Sequence, residues 1–128
     1  MKFPDKLDVL AVHARLIAET GGTSGIRDGG LLESALDGVK NRFNYENADL
    51  IVCAATYAYH LTQAHAFVDG NKRLAAAITE TFIESNGSEL MMNDDEVVRL
   101  FLDIAAGIMT RDAVEELLRR KIRKGNSD

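Results

Sequence analysis

Apolar residues return at helical spacing along most of this chain, and polar caps and glycines break the pattern into segments. Leu7, Leu10, Ala11, Ala14 and Ile17 predict a first helix, entered at Asp5 and stopped by Gly21 and Gly22. Leu31, Leu32, Ala35 and Leu36 predict a short second helix capped by Asp28. From Lys40 to Asn47 charge is mixed with Phe43 and Tyr45 without a clear period, which reads as an irregular flap or short hairpin. From about Ala48 to Ala64 the chain is apolar on nearly every face, the mark of a helix surrounded by others and hence the hub of the core.

Leu74, Ile78 and Phe82 predict a further helix that ends near Asn86 and Gly87, a left-handed C-cap pair. Asn93 and Glu96 form a capping box ahead of Val97, Leu100, Phe101, Ile104, Ala105 and Ile108. Thr110 caps a last helix with Val114, Leu117, Leu118 and Ile122 on its inner face. Only Ser88 to Met92 and the flap remain for extended chain. The expected fold is therefore all-α, a compact bundle of about six helices around a buried central helix, with little or no sheet.

Composition narrows this further. A chain of 128 residues with 46% hydrophobic content suits one domain, residues 1–128, with an adequate core. Cys53 is the lone cysteine and lies in the most apolar segment, so no intrachain disulfide can form and a reducing cytoplasm is the expected setting. Met1 to Asp5 lacks the apolar stretch of a secretory signal, and no window reaches the roughly 18 apolar residues of a membrane span. A net charge of −5 argues against broad electrostatic binding of nucleic acid. Arg119, Arg120, Lys121, Arg123 and Lys124 make the last helical stretch basic, which suits the negative end of a helix dipole.

The densest chemistry is His65-Ala66-Phe67-Val68-Asp69-Gly70-Asn71-Lys72-Arg73, in the connection between the central helix and the next. Gly70 permits a tight path, and Asn71 is the expected N-cap of the following helix. The N–H groups of that helix start, with Lys72 and Arg73, make an anion site suited to phosphate. His65 can serve as a general base near neutral pH, and Phe67 is expected to pack inward as an anchor. The glycine-rich stretch Gly21 to Gly30 matches neither a dinucleotide fingerprint nor a phosphate loop, and by itself reads as turn chemistry. His60 and His65 stand five apart, not the four that puts two zinc ligands on one helix face. His13 and Cys53 have no evident partner and read as structural. Arg27 and Asp28 are explained equally well by a loop ion pair and a helix cap, or by reach toward the cluster.

The string from His65 to Arg73 resembles the signature of the Fic/Doc superfamily, His-x-Phe-x-Asp/Glu-Gly-Asn followed by an arginine. Lys72 after the Asn and Arg73 after the Lys resemble the death-on-curing (Doc) branch of toxin–antitoxin toxins. The upstream segment Gly25 to Leu36 is similar to one that recurs in that branch, and size and helix order agree. The adenylylating members usually have Gly where Lys72 stands and a second Arg where this chain has Ala76. A lysine crowds the mouth of the loop, and the missing guanidinium removes a bidentate phosphate anchor.

The resemblance implies a reversed nucleotide that presents its γ-phosphate, and a kinase acting on a Ser or Thr hydroxyl of translation elongation factor Tu, arresting translation. His65, Asp69, Asn71 and Arg73 would be catalytic; Gly70, Asn71, Lys72 and Arg73 would bind ATP or another nucleoside triphosphate. Asp69 would carry Mg²⁺, a hard cation that takes one or two carboxylates besides phosphate oxygens and water.

Two alternatives stay open at this level: a Fic-type adenylyltransferase using the same residues, and a silent binding module of the same fold. Self-inhibiting Fic proteins carry an internal Ser/Thr-x-x-x-Glu-Gly/Asn helix. Here only Glu46 precedes such a residue, with Arg42 four positions before it. The resemblance therefore implies restraint by a separate antitoxin, a peptide or helix laid into an apolar groove.

Overall fold

The computed structural model describes residues 1–125. Six helices follow in order: α1 (Lys6–Thr20), α2 (Gly29–Glu46), α3 (Leu50–Ala64), α4 (Asn71–Ser85), α5 (Asp94–Ala105) and α6 (Arg111–Lys121). Two short strands, β1 (Ser88–Leu90) and β2 (Ile122–Lys124), pair antiparallel with Leu90 opposite Ile122. The all-α reading holds, with this one ribbon added.

Helix α3 is the hub, packed against α2, α4, α5 and α6. Cys53, Ala54, Ala55, Tyr57 and Ala58 are fully buried on it, so small side chains let the neighbouring helices approach. Tyr57 meets Phe82 of α4 edge to face at 4.9 Å. Phe3 fills the space between α2 and α4, with its ring 5.3 Å from that of Phe43 and 5.8 Å from that of Phe82. Burial pushes the Cys53 thiol up to about 11, with Asp49 adding to the effect, so the residue is an inert core group.

Four N-caps behave as read. Asp5 and Asn93 each form a reciprocal capping box, while Asp28 and Thr110 accept from backbone N–H groups of α2 and α6. Gly21 closes α1 in the left-handed region.

Four expectations change. Lys40 to Asn47 is not a flap: α2 continues to Glu46 and stops at a left-handed Asn47. Leu32, Leu36, Val39 and Phe43 form one continuous stripe, and Gly38 lets α2 close on the His60 ring. A Cβ at Gly38 would stand 3.0 Å from His60 Nδ1. Helix α1 is turned relative to the expected face: Val9, His13 and Ile17 are buried, and Leu7 is 76% exposed. Helix α5 ends at Ala105 because Gly107 turns left-handed, which leaves Ala105 and Ile108 exposed rather than inward.

Finally, Ile122 belongs to β2, not to the inner face of α6, and Arg123 and Lys124 lie beyond that helix. The basic stretch is met by carboxylates as well as by the helix end: Arg119 by Asp49, Arg120 by Glu116, Lys121 by Glu96 and Arg123 by Glu89. No helix among the described residues is long and apolar enough to cross a membrane.

Candidate active site

The chain leaves α3 at His65, which takes left-handed backbone angles (φ 49°) and exposes its ring at the top of the hub helix. Ala66 and Phe67 then turn inward, each 2% exposed, while Val68 and Asp69 face solvent. Phe67 is thus the anchor expected of it. Its ring stacks on that of His13 from α1 at 3.8 Å and 16°. Its backbone is clasped by the Asn71 side chain, whose Oδ1 accepts from Phe67 N–H (3.1 Å) and whose Nδ2 donates to Phe67 O (2.9 Å).

That clasp corrects one expectation. Gly70 (φ 79°), not Asn71, is the N-cap of α4, and no side chain caps the helix. With the Asn71 amide turned back to Phe67, the first N–H groups of α4 are left for a guest, beside the exposed side chains of Lys72 and Arg73. Neither cation enters an ion pair among the described residues. Ala76, one turn on, lines a cavity of about 370 Å³ together with Lys72, Arg73, Val98 and Leu102.

Asp69 is held from the glycine-rich loop as well as from its own turn. Its Oδ2 accepts from Thr23 N–H at 3.1 Å and its Oδ1 from Gly70 N–H at 2.8 Å. These two hydrogen bonds, Thr23 first, hold the carboxyl below its ordinary value, with Arg73 and His13 assisting. Each oxygen keeps a free lone-pair direction, so an exposed, ionised, hard-oxygen donor remains available. That suits Mg²⁺, which shares one or two carboxylates with phosphate and water oxygens. No cluster of three or more acidic, histidine or cysteine ligands occurs among the described residues, so Asp69 would be the carboxylate that the protein contributes.

The loop read as turn chemistry is part of this site. Ala66 O accepts from Arg27 N–H (2.7 Å) and Asp28 N–H (3.0 Å), and Gly25 O accepts from Val68 N–H (3.1 Å), so Ile26 and Phe67 form an antiparallel bridge. Arg27 and Asp28 thus reach the string through their backbones, and Asp28 also caps α2. Gly22 lies directly under Asp69.

His13, read as structural, reaches the same place: it is 4% exposed and its Nε2 lies 2.7 Å from Asp69 O. The signal available for it was its place between Val9 and Ile17, four residues from each, on one face of α1. His60 stays apart, its Nε2 3.4 Å from Arg111, and burial, then Arg111 and Arg42, lower its pKa.

The model of the Fic/DOC family matches residues 3–83, which include both the glycine-rich loop and the whole string from His65 to Arg73. The chain belongs to the Fic/DOC family. It is also 32% identical over 114 residues to the protein kinase doc of Escherichia phage P1, a match covering 88% of this chain and 90% of that one. The family match thus ends within α4, and the likeness to the phage protein continues into the α5 and α6 half of the bundle.

Proposed function

We propose that this Fic/DOC protein is a Doc-type toxin kinase that moves the γ-phosphate of ATP, or of another nucleoside triphosphate, to a Ser or Thr hydroxyl of elongation factor Tu. The observation that carries the choice is the pair Lys72 and Ala76: a cation where the adenylylating pattern has glycine, and a small apolar residue where it has a second arginine. The likeness to a protein named a kinase supports the same choice.

In this reading His65, exposed at the end of α3, takes the proton of the attacking hydroxyl. The hydroxyl oxygen bonds to the γ-phosphorus, the bond from that phosphorus to the β–γ bridging oxygen breaks, and the nucleoside diphosphate leaves. The free N–H groups at the start of α4, with Lys72 and Arg73, hold the phosphates and stabilise charge as it moves to the leaving group. Asn71 contributes by fixing Phe67, and Gly70 by leaving room at the N-cap. Asp69 would hold Mg²⁺, which would supply positive charge to offset that of the phosphates.

Restraint comes from an antitoxin segment in the cavity between α4 and α5. Apolar Val98 and Leu102 (58% and 46% exposed) border the unpaired Lys72 and Arg73, so the fitting occupant is an apolar segment carrying acidic residues. A segment seated there covers the phosphate-binding cations. The action is placed in the cytoplasm, where elongation factor Tu works. Following the α- and γ-phosphates of ATP separately tests the kinase reading.

A further inference from the structure

The Asp69–Gly70 peptide is gripped at both ends. Its carbonyl oxygen lies 2.7 Å from His13 Nε2, and its N–H donates to Asp69 Oδ1 at 2.8 Å. Because a carbonyl can only accept, His13 Nε2 must carry a hydrogen in this contact. The orientation of this one peptide plane therefore sets where one of the two N–H braces of the Asp69 carboxylate points. Gly70 follows it, and a peptide that precedes a glycine turns over at little steric cost, so the plane needs an external hold.

His13 is well placed to give that hold. It is buried on α1, its ring is fixed by stacking on Phe67, and Phe67 is itself clasped by Asn71. Ile17, one turn further along α1, closes the other side, since a Cβ at Gly70 would meet Ile17 Cδ1 at 3.2 Å and His13 Nε2 at 3.5 Å. We infer that His13 is a positioning residue: by donating to the Asp69 carbonyl it locks the 69–70 peptide in the orientation that braces the Asp69 carboxylate for a divalent cation. This rests on the reading of Asp69 as the metal-holding carboxylate. In this role His13 acts through the peptide, its Nε2 on the Asp69 carbonyl.

The test uses the whole chain and two variants. His13→Leu fills the space without a donor; His13→Gln keeps an N–H donor. Binding of Mn²⁺ alone, followed by electron paramagnetic resonance, should weaken about 3- to 10-fold in His13→Leu, the worth of one ordinary hydrogen bond, and recover in His13→Gln. The Gly70 amide signal should shift in His13→Leu and return in His13→Gln. In the unaltered protein, nitrogen-15 shifts of the His13 ring should show the hydrogen on Nε2, a readout that needs no variant to fold.

An Nε2 without hydrogen, or a folded His13→Leu protein with unchanged Mn²⁺ binding and an unchanged Gly70 signal, overturns the inference. Absence of phosphoryl transfer by the unaltered protein contradicts the kinase reading instead. If Mn²⁺ binds the unaltered protein and an Asp69→Asn variant equally well, the metal assignment on which this inference stands fails too.

Discussion

Gly22 supports Asp69 by having no side chain: a Cβ there would stand 2.6 Å from Asp69 Oδ2, well inside contact distance. Asp69 is a short side chain tied by two backbone N–H groups, so it cannot step aside without losing the Thr23 bond that holds its pKa down.

Gly22→Ala should therefore lower metal-dependent activity by roughly 10-fold or more, the loss of about one charge-assisted hydrogen bond, with only a small drop in melting temperature. The folded carboxyl titrates below its ordinary value, so its charge is present above that value and lost only as pH falls through the lowered one. Carbon-13 titration of Asp69 should show this, with the midpoint moving back up in Gly22→Ala. An unmoved midpoint and unchanged activity would show that Gly22 has no part in the site.

His65→Ala should leave the fold nearly intact, because the ring is exposed at the end of α3. Phosphoryl transfer should fall by roughly 10² to 10⁴ if His65 takes the proton, and growth arrest should vanish. A variant as active and as toxic as the parent would remove His65 from the reaction.

Much of this was legible in the sequence, and the misses share a cause. Caps and apolar spacing gave α5 and α6 their starting points because those signals are local. The end of α2 was misjudged because the charges of Lys40 to Asn47 hide the period, which only the packing of Val39 and Phe43 against the core restores. His13 was set aside because the face of α1 was chosen by apolarity, and a buried histidine belongs on a core face only when a distant carbonyl and an aromatic ring receive it. The glycine-rich loop matched no phosphate-loop pattern, and its role emerges from pairing with Ala66, Phe67 and Val68, roughly forty residues away in sequence, which no local pattern encodes.

An acidic, apolar partner segment seated between α4 and α5 should stabilise the protein by mass action, about 2.7 kcal/mol at a hundredfold excess over its dissociation constant. Val98→Glu with Leu102→Glu, on exposed positions, should abolish that rise in melting temperature while leaving the free protein folded. A rise that survives both changes would place the partner on another face.

Lys72→Gly combined with Ala76→Arg restores the adenylylating pattern in the first turns of α4. Residual transfer should shift toward the α-phosphate, read by mass spectrometry of the modified protein: a phosphate adds a small dianion, an adenylyl group the whole nucleoside monophosphate. Exclusive γ-phosphate transfer by the double variant would show that these two positions do not set the orientation of the nucleotide.

The most direct measurement uses the unaltered protein with Mg²⁺, elongation factor Tu and ATP labelled in parallel at the α- or the γ-phosphate. The account predicts label on a threonine or serine of the factor from the γ-labelled nucleotide and none from the α-labelled one. Label arriving from the α-phosphate would contradict it and assign the same residues to adenylyl transfer.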